Sequence, residues 1–77
     1  MGMMTPAQKW LADYLLALGA SLVERAYIVS ILWEPEALEE ILLYILETRE
    51  KDLAQLSEVA CKISRKYRQC EVEYHFD

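Results

Sequence analysis

The chain has 77 residues, 55% of them hydrophobic, and a formal net charge of −5. This length fits one small domain and leaves little chain for a catalytic cleft beside a core. The apolar share, with only two glycines and two prolines, excludes a disordered or low-complexity chain. The longest uncharged stretch, 14–23, has ten residues, whereas a membrane-spanning helix needs about 20. We therefore expect a single helical domain over 1–77 and no membrane span.

The N-terminus and the cysteines indicate a cytoplasmic protein. Lys9 is the only cation before Asp13, and no small-residue cleavage site of a secretory signal is present. Cys61 and Cys70 fall on one predicted helix, about 13 Å apart, which is too far for a disulfide between them. We expect two reduced thiols, and an intermolecular disulfide stays open as the alternative.

Two capping boxes predict the starts of the first two helices. Thr5 precedes Pro6, and Gln8 follows at the position from which its side chain reaches back to the cap. Ser21 and Glu24 repeat this spacing. Each pair satisfies backbone amides that have no partner within the helix.

Other residues mark further helix starts and one helix end. Asp52 with Gln55 is a looser capping pair, Pro35 marks another start, and Gly19 stands where a left-handed residue would end the first helix. These signals predict an all-α fold, a small four-helix domain that is either an orthogonal or an up-and-down bundle. The predicted helices are about 6–18, 22–32, 35–48 and 53–69, followed by a short extended tail over 70–77.

Two alternatives concern the C-terminal half. No Gly or Pro occurs after Pro35, so the third and fourth helices could form one continuous rod. In 71–77 apolar and polar residues alternate, as in a half-buried strand. That segment would either pair with a strand of another chain or lie against the bundle through Tyr74 and Phe76.

Helical periodicity predicts which side chains form the core. The fourth helix has one narrow apolar stripe, whereas the second is apolar nearly all round and therefore forms either the central core or an interface. The predicted core is Trp10, Leu11, Tyr14, Leu22, Ala26, Val29, Leu38, Ile41, Leu42, Ile45, Leu56, Ala60, Ile63 and Tyr67.

The second and third helices carry the predicted partner-binding surface. Leu43 projects from a side of the third helix that is otherwise acidic, and Leu16 stands out similarly on the first. One exposed leucine is ordinary, but two of them beside an all-round apolar helix favour self-association or partner binding. The predicted partner-binding residues are Leu43, Glu36, Glu39, Glu40, Glu47, Ile28, Leu32 and Trp33.

We find no catalytic constellation in the sequence and expect no enzyme. His75 is the only histidine, and it lies near the end of the predicted tail. Cys61 and Cys70 with His75 lack the paired short spacing of zinc ligands, and no glycine-rich phosphate loop occurs. We expect no catalytic residue, metal, cofactor or small-molecule substrate.

The charges are unevenly distributed along the chain. Residues 1–48 hold seven acids and two bases, whereas 49–70 hold three acids and six bases. The basic fourth helix could bind phosphates, and the candidate residues are Lys62, Arg65, Lys66 and Arg68. The acidic chain repels a polyanion, and these cations could instead pair with the third helix. The acidic third helix could also mimic a polyanion.

These patterns lead to two functional hypotheses. The first is a non-enzymatic protein–protein interaction module, which forms a homo-oligomer or docks a protein partner through apolar helix surfaces. The alternative is a regulator of nucleic-acid transactions, acting by the basic helix or as an acidic polyanion mimic.

Overall fold

A computed structural model describes the backbone of residues 4–76 and the side chains of residues 4–68. Its four α-helices are α1 (Pro6–Ala17), α2 (Leu22–Ile31), α3 (Pro35–Thr48) and α4 (Leu53–Phe76), and the described backbone contains no strand. The prediction of a small all-α, four-helix fold is confirmed. Within the described residues, no helix combines the length and the apolar character needed to cross a membrane.

Both predicted capping boxes are present. The Thr5 hydroxyl accepts from the amide of Gln8 at 3.2 Å, and the Gln8 side chain accepts from the amide of Thr5 at 2.9 Å. The corresponding distances for Ser21 and Glu24 are 3.1 and 2.7 Å. In each helix these bonds satisfy the amides of the capping residue and of the third helical residue. The two helices begin where the sequence predicts.

Gly19 ends α1 in the left-handed conformation that the sequence predicts. Its φ is +92°. The Ala20 amide donates to the carbonyl of Leu15 at 3.0 Å, and the Gly19 amide donates to the carbonyl of Leu16 at 2.9 Å. This pair of bonds is the Schellman motif, which turns the chain sharply from α1 into α2.

The third and fourth helices are separate, so the alternative of one continuous rod is wrong. Arg49 adopts φ 55° and ψ 36°, a left-handed conformation that ends α3. Its amide donates to the carbonyl of Ile45 at 2.7 Å. Asp52 then begins α4, but its carboxylate accepts from the amide of Ala54 at 3.0 Å rather than forming the predicted pairing with Gln55.

The fourth helix extends to Phe76, past its predicted end at residue 69. Over 70–76 the described backbone is helical, where the sequence predicts an extended tail. The stretch contains neither glycine nor proline, so no strong helix breaker opposes continuation. The predicted contacts of this segment, with the bundle or with a strand of another chain, lie outside the described residues.

The helices pack in a cycle in which α1 contacts α2 and α3, and α4 contacts the same two helices. All four contribute to one apolar core. Seven predicted core residues are buried, namely Leu11, Leu38, Ile41, Ile45, Leu56, Ala60 and Ile63. Tyr14, Val29, Leu42 and Tyr67 lie partly buried at its edge.

The buried face of α2 differs from the predicted one, although Val29 is partly buried as predicted. Ile28 and Leu32 are 4% and 0% exposed, whereas Leu22 and Ala26, which were predicted to be buried, lie on the surface. Trp10 of α1 is also exposed rather than buried. Both faces of α2 are apolar, so periodicity alone could not distinguish them. Packing against α1 and α4 selects the face that carries Ile28 and Leu32.

Candidate functional site

The first exposed apolar surface lies on α2. Leu22 and Val23 are 71% and 77% exposed, the highest values among the large apolar side chains of the described residues. Tyr27 is exposed beside them, and a shallow hollow runs between these side chains over Ala26 and Ser30. We call these five residues the α2 surface. Large side chains surround a small centre, a shape that permits close approach of a second helix.

Polar groups at and beside the α2 surface already have partners within the chain. The Ser30 hydroxyl donates to the carbonyl of Tyr27 at 2.7 Å, and the Tyr27 hydroxyl lies 3.7 Å from Cys61 Sγ. This hydrogen bond with Cys61 raises the pKa of Tyr27, with a small opposing effect from Arg68. Glu24 is held in its capping box. Removing water from this surface therefore leaves few unsatisfied polar groups.

The second exposed apolar surface is a groove between α1 and α3. Its two hollows have volumes of about 530 and 380 Å³ and share Ala7 and Leu42 in their walls. Trp33 and Leu38 line the first hollow, and Trp10, Pro6 and Leu46 line the second. Pro35, at the start of α3, also lines the first hollow, and we call these eight residues the α1/α3 groove. The Trp10 ring stacks on that of Tyr14, with 5.5 Å between centroids, and this contact helps to hold the indole at the groove wall.

Carboxylates border the α1/α3 groove. Glu36 and Glu39 line its first hollow, and no lysine or arginine lines either hollow. Among the described residues, the structure records no ion pair for these two glutamates. Leu43, 54% exposed as the sequence predicts, and Glu47 lie on the adjoining outer side of α3. The groove thus combines an apolar floor with an acidic rim.

Glu40 does not belong to this rim. Its carboxylate accepts from Lys66 Nζ of α4 at 3.1 Å and from the Tyr67 hydroxyl at 2.9 Å. The Lys66 hydrogen bond holds the pKa of Glu40 below its ordinary value, with a further contribution from Tyr67, although partial burial opposes the shift. Glu40 therefore links α3 to α4, and the predicted pairing of the basic helix with the acidic one is present here.

The predicted phosphate-binding residues on α4 differ in their surroundings. Lys66 pairs with Glu40, and Lys62 lies 3.7 Å from Glu58. Arg65 and Arg68 instead border a small hollow with Tyr27, Ile31, Cys61 and Ser64. Two of the four cations thus lie in ion pairs, and the other two line a separate hollow. Phosphate binding by these residues stays a prediction.

The structure corrects the predicted partner surface. Ile28 and Leu32 belong to the core, so neither can contact a partner in this fold. Trp33 and Leu43 are exposed, and their contact with a partner stays a prediction. Helical periodicity does not place Val23, Tyr27, Trp10 and Leu46 at the surface, where the structure has them. A leucine pair at 42 and 46, one helical turn apart, was the available signal for the groove. The apolar residues all round α2 indicated a core helix or an interface, but not which face would be exposed.

The described residues contain no group of three or more side chains that could bind a metal ion. The comparisons with known proteins give no further guide. No protein family matches the chain, and neither a curated protein nor a solved structure shows significant similarity to it. The two apolar surfaces are therefore the features on which a functional proposal must rest.

Proposed function

We propose that this chain is a non-enzymatic protein–protein interaction module that self-associates through the α2 surface. The exposure of Leu22 and Val23 on one face of a ten-residue helix carries the proposal. Apolar side chains that protrude in this way gain free energy when a second chain removes them from water. The α2 surface can pack against the same surface of a second copy, related by a twofold axis.

The charges near α2 are compatible with a second copy. Glu24 accepts from the amide of Ser21, and the Arg25 guanidinium donates to the carbonyl of Ser21 at 3.3 Å. These groups of opposite sign are tied to the start of their own helix. A twofold contact centred on Ala26 would therefore bring apolar side chains together without forcing like charges to meet.

The solution mass tests this proposal. We expect light scattering of the chain under reducing conditions to give at least twice the 9.0 kDa chain mass, falling on dilution. Val23→Glu places a carboxylate in the apolar contact and should weaken association at least about tenfold, because a buried unpaired charge is costly. Val23 is so exposed that the helix content of the monomer should not change.

Leu43→Glu is the matched control. It makes the same kind of change at an exposed leucine of α3, away from the α2 surface, and should leave the mass unchanged. A wild-type chain that is monomeric at every concentration contradicts self-association. Loss of association in Leu43→Glu but not in Val23→Glu would move the contact to the surface originally predicted from the sequence.

The nucleic-acid alternative stays a prediction, because the charges of the described residues favour it less than self-association. Lys62 and Lys66 each lie in an ion pair, and the formal net charge of −5 opposes binding to a polyanion. We therefore retain self-association as the proposal.

A further inference from the structure

We propose that the α1/α3 groove binds a basic amphipathic helix of a different protein, with apolar side chains in the groove and Lys or Arg at its acidic rim. This inference goes beyond self-association, since it concerns another surface and another kind of partner. It rests on the shape of the groove, the charges that border it and the two tryptophans in its walls.

The dimensions of the groove fit a short helix. Its α3 wall presents Pro35, Leu38, Leu42 and Leu46, a series that recurs every three or four residues along one helix face. At ~1.5 Å per residue this wall is about 16 Å long. A ligand helix of about three turns, with anchors spaced by three or four residues, matches that length.

The charges select a cationic ligand over a second copy of this chain. Glu36 and Glu39 border the apolar floor, and no cation lines the groove to neutralise them. A twofold contact through the groove would bring two acidic rims together, which costs free energy. Lys or Arg beside the apolar anchors of a ligand would instead pair with these carboxylates.

The tryptophans favour the same ligand. Trp10 and Trp33 are both exposed, and each lines one of the two hollows. An indole face attracts lysine and arginine side chains and also provides a large apolar contact. The carboxylates of the groove can therefore bind the cationic side chains of a basic amphipathic helix, and the indoles can contact both its cationic and its apolar side chains.

The two tryptophans are the only ones in the chain, so their fluorescence reports binding directly. The probe is a synthetic 18-residue peptide without tryptophan, with leucines at helical spacing on one face and lysines elsewhere. We expect a saturable change in emission on titration. One control peptide replaces every lysine with glutamate, and a second shuffles the same residues so that no apolar face forms. Neither control should bind.

Charge reversal then locates the site. Glu39→Lys should weaken binding of the basic peptide about tenfold, since an attraction becomes a repulsion. Glu58→Lys makes the same change on α4, outside the groove, and should alter affinity less than about twofold. For wild-type protein, affinity should fall as salt rises, which provides a test that needs no variant.

Equal binding of the shuffled peptide, or equal effects of the two charge reversals, would overturn the proposal, because general attraction to an acidic protein would then suffice. Absence of any binding by the leucine–lysine peptide at low salt would also overturn it. The titration is repeated in Val23→Glu. Loss of peptide binding and loss of self-association are then separate results, so either proposal can fail alone.

Discussion

The α2 surface and the α1/α3 groove both expose large apolar side chains, but the charges around them differ. Beside α2, Glu24 and Arg25 are held by hydrogen bonds to the start of their own helix. At the groove, Glu36 and Glu39 border the apolar floor without a cation in its walls. Burial of apolar area favours association at both surfaces. The surrounding charges determine which partner each one accepts.

The largest expected effect tests which face of α2 belongs to the core. Leu32→Ala should lower the free energy of unfolding by about 2–5 kcal/mol, because Leu32 is fully buried. Leu22→Ala removes the same atoms from the exposed face and should cost less than about 0.5 kcal/mol. Urea unfolding followed by circular dichroism measures both, in a Val23→Glu background that removes the contribution of association. Equal losses would contradict the division between core face and α2 surface.

The next effect concerns two turns. One ends α1 and leads to the α2 surface, and the other ends α3 beyond the groove. Gly19→Ala should destabilise by about 1 kcal/mol, because a side chain disfavours its φ of +92° although no atom lies close enough to clash. Arg49→Gly should stabilise by up to about 1 kcal/mol, because glycine adopts the left-handed conformation of Arg49 without this cost. Thermal unfolding midpoints should therefore move in opposite directions. A shift of the same sign in both variants would show that these φ values do not control the turns.

The smallest effect distinguishes Glu40 from the glutamates of the groove rim. Glu40→Gln should lower the stability by less than about 1 kcal/mol at neutral pH, since the Lys66 pair is partly exposed and screened by solvent. The pKa of Glu40 is lowered in the folded chain, so its carboxylate stabilises the fold at pH values above its ordinary pKa near 4.5. That contribution is lost as the pH falls through the folded pKa.

Chemical unfolding of wild type and Glu40→Gln at several pH values measures this difference. The gap in stability should close towards low pH. Glu39→Gln serves as the control for loss of one negative charge from α3. A gap for Glu40→Gln that widens on acidification would contradict the proposed role of the ionised carboxylate in joining α3 to α4.

Local hydrogen bonds explain why the helix boundaries were predictable. The bounds of α3 agree with the prediction, and those of α1 and α2 agree within one residue. Thr5, Ser21 and Gly19 act through bonds to residues at most five positions away. The end of α4 was not predictable in this way, because no glycine or proline marks it.

The candidate site was only partly predictable. The exposure of Leu43 and the acidic side of α3 followed from helical spacing. The groove is not evident from the sequence, because helical periodicity predicts Trp10 in the core, whereas its ring is exposed and stacks on that of Tyr14. On α2, exposed Leu22 and buried Leu32 are chemically identical, so only the neighbouring helices distinguish them.

The sequence by itself determined four helices, the starts of α1 and α2 with the hydrogen bonds that cap them, and the turn at Gly19. Those features depend on bonds between residues close in the chain. The tertiary structure decided which face of α2 is buried, which glutamate meets Lys66, and that α1 and α3 leave an apolar groove between them. These outcomes depend on contacts between residues far apart in sequence, where several apolar faces compete for one core and packing selects among them.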